Sequence, residues 1–372
     1  MKRSFSYFAF AILVIASVLL SSCTPAATPE PTAVPAPPTQ APPEPTAVPP
    51  TAVPEPEIGS PEHPIKVLFV PSVDANTIVS GGKIMSDALN KATGLTFEVS
   101  VPTSYSATIE EMCASPKDTI GFIPALGYVL ANQLCGVDVS FAAVRFGSAV
   151  YWAQILVARD SDFKTLKDLD GKKFGMTDPG STSGYLVPLA MFQEAGIKPS
   201  ESIETGGHPQ SVKAVYNGEV DFSASFYTPF GVPEGKEDWK EGDAPDVPDE
   251  VIKDCKVTAD GKTLDCHGYV IRDARANIRE EAPDVIEKVR VLTISEGIPN
   301  DTLSFGPEFD PDIRAKIEEA LTAFAKTEDF KTSIGSPDFY NWTGIAPAKD
   351  ADYDFVRLMV DAAGITLESL GQ

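Results

Sequence analysis

The chain has 372 residues, 53 acidic and 30 basic side chains, and a formal net charge of −23 at pH 7. Such an acidic protein repels the phosphates of nucleic acids, so we expect no nucleic-acid partner. With three histidines in the whole sequence and no C-x-x-C pattern, we also expect no metal site and no cofactor.

The N-terminus has the pattern of an export signal. Lys2 and Arg3 precede an apolar run over residues 5–20, and the segment ends in L-S-S-C at Cys23. The run falls short of the roughly 20 residues that a comfortable membrane span needs, and it suits a signal peptide. The final four residues resemble the cleavage box of bacterial lipoproteins. We therefore predict a signal peptide over residues 1–23 and an extracytoplasmic protein lipid-anchored to the membrane through Cys23; an uncleaved anchor is the alternative.

Residues 24–63 are predicted to form a disordered tether. Residues 24–57 consist mainly of Pro, Ala, Thr, Val and Glu, without an aromatic or basic side chain. Such a segment cannot bury enough surface to fold, and at about 3.1 Å per residue it would reach up to roughly 100 Å. The folded part is expected to begin at residue 64. The folded part then has about 300 residues, a length that suits two lobes better than one core.

Strand-like and helix-like segments alternate after the tether. Strands are predicted over residues 65–71, 97–101, 119–124, 141–146 and 152–159, and helices over residues 82–93, 106–112 and 125–135. This alternation is typical of parallel sheets covered by helices, which defines an α/β protein.

The stretch over residues 174–196 predicts a strand, a turn and a helix. Ser181, Thr182 and Ser183 begin the predicted helix, and Gly196 occupies the place of a C-cap glycine. The first turn of such a helix offers unpaired N–H groups, and the three hydroxyls can also donate, so the pattern indicates an oxyanion site. Pro188 within the helix predicts a small bend.

Three other interpretations of this stretch compete with an oxyanion site. A G-x-S-x-G nucleophile elbow needs Ser between its glycines, but Thr182 is the central residue here. A phosphate-binding P-loop needs a Lys after its last glycine, and none follows Gly184. An ordinary capped helix stays open. Since no set of nucleophile and base is evident, we expect no enzyme.

The rest of the chain continues the alternation. We predict a helix over residues 209–217, a strand over 220–226, an acidic surface insertion over 231–268, and helices over 283–291, 311–326 and 350–363.

Four cysteines remain when Cys23 is set aside. In an oxidising compartment they are expected to form disulfides, and of the three possible connectivities we favour Cys113–Cys135 and Cys255–Cys266. A zinc site that uses Cys255, Cys266 and His267 is the alternative.

Two segments carry a resemblance to a known family. D-P-G-S-T-S-G-Y-L-V-P over residues 178–188 and G-G-H-P-Q-S-V-K-A-V-Y-N-G-E-V-D over residues 206–221 resemble the phosphate, phosphite and phosphonate substrate-binding proteins of ABC importers. The similarity extends over most of residues 64–370. It implies a two-lobe periplasmic-binding-protein fold of type II, in which each lobe is a mainly parallel sheet flanked by helices. By position, lobe one is residues 64–151 and 300–372, and lobe two is residues 152–299.

The resemblance also implies a ligand site in the cleft between the lobes. The family's binding residues correspond here to Ser181, Thr182, Ser183, His208, Tyr105, Tyr151 and Asp301. Relatives that take aminoalkyl phosphonates carry a further acidic residue near residues 225–228, where this chain has S-F-Y-T. A carboxylate such as that of Asp301 can only accept hydrogen bonds, so it would favour an anion that keeps a P–OH group over sulfate.

The expected function is capture of a phosphorus oxyanion (phosphonate, phosphite or phosphate) and its delivery to the permease of an ABC importer, by a monomer. A ligand-sensing protein that reports to a membrane kinase is the alternative.

Overall fold

The structure is a computed structural model that describes residues 55–370. The predicted signal peptide, Cys23 and most of the tether lie outside the described residues. Fifteen strands are β1 Ile65–Phe69, β2 Phe97–Ser100, β3 Thr119–Ile123, β4 Asp138–Val144, β5 Val150–Ala158, β6 Lys173–Met176, β7 Glu201–Glu204, β8 Phe222–Tyr227, β9 Cys255–Val257, β10 Leu264–Cys266, β11 Tyr269–Ile271, β12 Val289–Ile294, β13 Ile298–Pro299, β14 Thr302–Phe305 and β15 Gly344–Pro347 in the described range.

The α-helices of the described range are α1 Ala75–Thr93, α2 Tyr105–Ala114, α3 Ala125–Cys135, α4 Val187–Ala195, α5 His208–Tyr216, α6 Val285–Lys288, α7 Pro311–Phe324, α8 Glu328–Thr332, α9 Asp354–Ala363 and α10 Leu367–Leu370. A π-helix over Thr182–Leu186 runs directly into α4.

Two sheets organise the fold. The first has the strand order β15-β4-β14-β3-β1-β2, and the second has the order β12-β5-β8-β6-β7 with β13 paired to β5. We call the first sheet and the helices that pack on it lobe one, and the second sheet with its helices lobe two. The chain passes between the lobes just before β5 and again between β13 and β14, where β13 pairs antiparallel with the start of β5.

The sheets are mixed rather than mainly parallel, which corrects the prediction in this detail. In lobe one, β1 runs parallel to β2 and β3, while β14 is antiparallel to β3 and β4. In lobe two, β6 is parallel to β7 and β8, while β5 is antiparallel to β8 and β12. The reason is topological: β5 and β14 enter their sheets from the crossovers, so they run opposite to strands that end at the cleft.

The order of the strands brings functional segments together. β1, β3 and β6 all end at the cleft, and the segments that follow them, residues 70–73, 124–126 and 177–183, meet there. Ligands of open α/β sheets bind outside the carboxyl ends of their strands. β1 and β3 are almost wholly buried, because helices cover both faces of their sheet.

Three predicted segments differ from the structure. The helix predicted over residues 283–291 is only the short α6, and β12 begins at Val289; the β-branched residues of V-R-V-L-T-I favour a strand next to β5. α1 begins at Ala75, because Asp74 caps it by accepting from the N–H groups of Asn76 and Thr77. The folded part begins before the predicted residue 64: Ile58 packs against the core of lobe one, and the N–H of Thr96 donates to the carbonyl of Gly59.

The acidic insertion is only partly a surface feature. Residues 234–238 are exposed, but Val247, Val251 and Leu264 are buried in the core of lobe two. The structure contains both predicted disulfides, Cys113–Cys135 and Cys255–Cys266. Because Cys255 and Cys266 are bonded to each other, the zinc alternative is wrong.

Among residues 55–370, no helix is both long and apolar enough to cross a membrane.

Candidate functional site

A small cavity lies between the two lobes. Its volume is about 60 Å³. Polar side chains from both lobes line it, namely Ser72, Tyr105, Arg145, Tyr151, Ser181, Ser183, His208, Asp301, Tyr340 and Asn341, together with apolar side chains that include Phe122, Ile123, Phe226 and Phe339. The structure therefore brings six of the seven predicted ligand residues to one cavity.

The π-helix supplies the donors on the side of lobe two. Ser181 Oγ accepts from the N–H of Gly184 at 3.1 Å, and the Ser181 carbonyl accepts from the N–H groups of Tyr185 and Leu186 at 3.1 Å each. The N–H groups of Thr182 and Ser183 lie ahead of these bonds and have no acceptor within the helix. As predicted, a helix N-terminus with nearby hydroxyls faces the cleft, and an αL glycine, Gly196 at φ 67°, ends it.

Thr182 is the predicted residue that does not line the cavity. Its side chain is fully buried, and its Oγ1 accepts a hydrogen bond from the N–H of Leu126 in lobe one at 2.8 Å. Neighbouring hydroxyls of one turn thus face different surroundings: Ser181 and Ser183 face the cavity, and Thr182 contacts the opposite lobe.

His208 is the first residue of α5 and is buried. Its Nδ1 lies 2.9 Å from Ser225 Oγ. Burial, together with the nearby charge of Arg145, lowers the pKa of His208 to about 3, so the ring is neutral at pH 7. A neutral ring whose Nδ1 accepts from Ser225 carries its proton on Nε2, where it can donate to a ligand.

Both predicted tyrosines are buried at the cavity. Burial is the main reason why the pKa of each hydroxyl lies well above its ordinary value, and the charge of Asp301 acts in the same direction on both. Hydrogen bonds with Ser183 and Thr182 oppose the rise at Tyr151. Both hydroxyls therefore keep their protons at neutral pH and can donate.

Asp301 lines the cavity, but it is not alone there. Arg145 Nη2 lies 2.6 Å from Asp301 Oδ2, and the two side chains are only 11 and 18% exposed. Arg145 also donates through Nη1 to Asn300 Oδ1 at 2.9 Å and through Nε to the Tyr340 carbonyl at 3.3 Å. The positive charge of Arg145 therefore balances the carboxylate that faces the cavity.

The comparisons with known proteins agree with this arrangement. Residues 67–353 match the profile of a family described as ABC transporter, phosphonate, periplasmic substrate-binding protein. The chain belongs to this family.

Two relatives named for phosphate or phosphonate binding are similar to this chain in sequence. A protein of Mycolicibacterium smegmatis named phosphate-import protein PhnD is 27% identical over 322 residues, which cover 82% of this chain and 87% of the relative. The phosphonates-binding periplasmic protein of Escherichia coli is 38% identical over 86 residues, 21% of this chain and 25% of that protein.

Solved structures of phosphonate-binding proteins share the fold. The binding component of an ABC phosphonate transporter from Pseudomonas aeruginosa aligns with a TM-score of 0.58 at 16% identity, covering 82% of this chain and 94% of that one. PhnD1 of Prochlorococcus marinus, solved in complex with methylphosphonate, aligns with a TM-score of 0.60 at 14% identity, covering 81% and 98%. These likenesses show that the chain has the fold of the phosphonate-binding family.

Sequence reasoning missed four polar residues of the cavity: Ser72, Arg145, Tyr340 and Asn341. Arg145 is the only Lys or Arg between Lys117 and Arg159, and this isolation inside an apolar segment was a usable signal. It precedes a tight turn in which Phe146 and Gly147 have φ of 49° and 82°. The hydroxyl of Tyr340 donates to the Val70 carbonyl at 3.0 Å; its position depends on a loop after α8 that no local pattern indicates.

Proposed function

We propose that the protein captures a small tetrahedral phosphorus oxyanion in this cavity and delivers it to the permease of an ABC importer. The observation that carries the proposal is the chemistry of the cavity. Hydroxyls of Ser181, Ser183, Tyr105 and Tyr151 and the neutral ring of His208 can all donate there. The N-terminus of the π-helix adds backbone donors and a favourable dipole for negative charge.

The size of the cavity limits the ligand. A water molecule needs about 10–15 Å³ of such volume, so a cavity of about 60 Å³ takes roughly four to six groups of that size. Phosphate and methylphosphonate have five heavy atoms each, and both fit this limit. Residues 225–228 contain no carboxylate that could pair with an amino group, so we expect 2-aminoethylphosphonate to bind less tightly.

The charges in the cavity allow an anion despite the acidity of the whole chain. Asp301 and Arg145 together contribute no net charge, and His208 is neutral. The net charge of −23 acts mostly through solvent, where it is screened beyond about 8 Å at physiological salt. Donors in contact with the ligand therefore decide binding, and hydrogen bonds to a charged group contribute about 1.5–3 kcal/mol each.

The pairing of Asp301 changes what we expect for sulfate. An unpaired carboxylate would strongly repel an anion without a proton, but Arg145 cancels most of that repulsion. Asp301 Oδ1 can still accept from a P–OH group. We therefore propose that the site prefers phosphorus oxyanions to sulfate by a moderate factor rather than by complete exclusion.

The cellular setting is also a proposal. We infer that the mature protein is lipid-anchored through Cys23 outside the cytoplasm and acts as a monomer, with the Pro-rich segment as its tether. The family match favours the transport role over the sensory alternative.

A thermal-shift and calorimetry panel tests the proposal. Phosphate, phosphite and methylphosphonate should raise the melting temperature and bind in the micromolar range, which corresponds to about 8 kcal/mol, whereas sulfate and 2-aminoethylphosphonate should bind less tightly. Ser183→Ala should weaken binding, and Ser200→Ala, at an exposed position outside the cavity, serves as the matched control. If none of these phosphorus oxyanions binds at millimolar concentration, the proposal is wrong.

A further inference from the structure

Helix α3 of lobe one lacks a cap from its own segment. Its N-cap residue is Pro124, which makes no side-chain hydrogen bond to the helix. The N–H of Leu126 belongs to the first turn and has no acceptor within the helix. Thr182 of lobe two supplies that acceptor through Oγ1 at 2.8 Å, and both residues are fully buried. A hydroxyl of one lobe therefore caps a helix of the other.

Helix α5 of lobe two shows the reciprocal arrangement. Its N-cap, Gly207, has no side chain that could cap the helix. The N–H of His208 donates instead to the carbonyl of Ser72 in lobe one at 3.3 Å. Each lobe thus provides an acceptor for a helix N-terminus of the other lobe.

The lobes approach each other closely beside these bonds. A Cβ atom on Gly180 would lie 2.5 Å from Tyr105 Cβ, a distance that real Cβ atoms essentially never show. Gly180 is in the turn that leads to Ser181, and Tyr105 begins α2 of lobe one. A side chain at residue 180 would therefore keep the lobes apart.

We propose that Thr182 is a closure residue: its hydroxyl caps α3 across the cleft when the lobes meet, while Ser181 and Ser183 hold the ligand. When the lobes separate, the Leu126 N–H loses its protein acceptor and must turn to water. Thr182 lies between the cavity residues Ser181 and Ser183. A ligand that holds these two residues in place therefore also holds Thr182 Oγ1, the acceptor for α3. The role rests on the proposed function, because it is the bound anion that closure encloses.

The role explains why a predicted ligand residue is absent from the cavity. The hydroxyl oxygen of Thr182 already accepts from the Leu126 N–H, so this side chain is engaged with the opposite lobe rather than with the cavity. Thr182 acts on the ligand only through the position of the turn, which makes it a positioning residue.

Hydrogen exchange at the Leu126 amide tests this role. Wild type, Thr182→Ser and Thr182→Val are each compared with and without saturating inorganic phosphate. The wild type and Thr182→Ser should show strong phosphate-dependent protection of this amide. Thr182→Val removes the acceptor at nearly constant shape, so it should lose that protection and bind phosphate roughly 3- to 10-fold less tightly, the weight of one neutral hydrogen bond.

Gly180→Ala gives a second, independent readout by small-angle scattering. Wild type should become more compact with phosphate, whereas Gly180→Ala should stay extended. Gly344→Ala is the matched control, because a Cβ atom there meets only ordinary contact at 3.8 Å, and it should close as the wild type does. If Thr182→Val does not fold, Gly180→Ala still tests the closure role.

Wild-type protection of Leu126 in Thr182→Val, or full compaction of Gly180→Ala, would overturn the closure role. A wild type that does not respond to phosphate would count against the proposed function instead. In that case, exchange at Leu126 in the ligand-free proteins decides closure: equal rates in Thr182→Val and Thr182→Ser would overturn it, and faster exchange in Thr182→Val would support it.

Discussion

Two arginine–carboxylate clusters of this protein differ in what surrounds them. In lobe two, Arg275 is fully buried and donates to both carboxylate oxygens of Asp273 at 3.0 and 2.9 Å and to Asp246 at 2.9 Å. Arg159 completes this cluster with a 2.8 Å bond to the other Asp246 oxygen. At the cavity, Arg145 and Asp301 share one bond, and both side chains face open space.

This difference indicates that the buried Arg275 cluster stabilises the fold, whereas the Arg145–Asp301 pair serves the cavity. In the lobe-two cluster the charges balance on all sides, and Arg275 and Arg159 hold the pKa of Asp246 below its ordinary value although burial alone would raise it. This cluster also attaches the acidic insertion, through Asp246, to Arg159, the residue directly after β5. The cavity pair has the same balance of charge but keeps one side free, where a ligand can lie.

Breaking the lobe-two cluster should have the largest effect on stability. Arg275→Met leaves Asp273 and Asp246 with less compensation in the interior, so the free energy of unfolding should fall by about 3–5 kcal/mol. Urea denaturation without ligand measures it. Lys83→Met, which breaks the exposed pair of Lys83 with Asp87, should change stability little. Comparable losses in the two variants would contradict the distinction between these clusters.

Breaking the cavity pair should affect binding most. Arg145→Gln leaves the Asp301 carboxylate unbalanced beside a bound anion, so phosphate affinity should fall roughly 100-fold, about 3 kcal/mol. Calorimetry measures this loss. The matched control is Arg272→Gln. The guanidinium of Arg272 stacks at 3.9 Å on Phe146, which belongs to the turn directly after Arg145, and Arg272 does not line the cavity. An Arg272→Gln variant that loses as much affinity would show that the turn, not the charge, matters.

His208 gives a smaller effect that depends on pH. Its pKa is about 3 in the folded protein against an ordinary 6.5, so below pH 6.5 the unfolded chain binds a proton that the folded protein does not. Its contribution to stability therefore decreases as pH falls from 6.5 towards 3, by about 2 kcal/mol between pH 7 and pH 5.

Urea denaturation of His208→Gln at both pH values should show a flatter pH profile than the wild type. The exposed His267 provides the control, since His267→Asn is expected to keep the wild-type profile. Equal slopes for wild type and His208→Gln would show that His208 is not buried in a neutral form.

The fold and most of the site could be predicted, because their signals are local. The run of Ser181 to Ser183 after D-P-G indicated an anion-binding turn, and α3 was predicted with the bounds that it has in the structure. The strand β12 was missed although its β-branched residues are a local signal for a strand; its pairing with β5, a long-range contact, is what the predicted helix over residues 283–291 left out. The contact of Thr182 with Leu126 and the pairing of Arg145 with Asp301 join residues 56 and 156 positions apart, and periodicity cannot reveal such pairs.

A double-mutant cycle on the cavity pair tests the central claim most directly. Phosphate affinity is measured for wild type, Arg145→Gln, Asp301→Asn and the double variant. If Arg145 serves to balance Asp301, the double variant should recover to within roughly tenfold of wild type, because no unbalanced carboxylate remains. This recovery from Arg145→Gln is at least about 1.4 kcal/mol, and the coupling energy follows when the effect of Asp301→Asn alone is subtracted. A double variant as weak as Arg145→Gln alone would contradict the account and assign Arg145 to direct contact with the ligand.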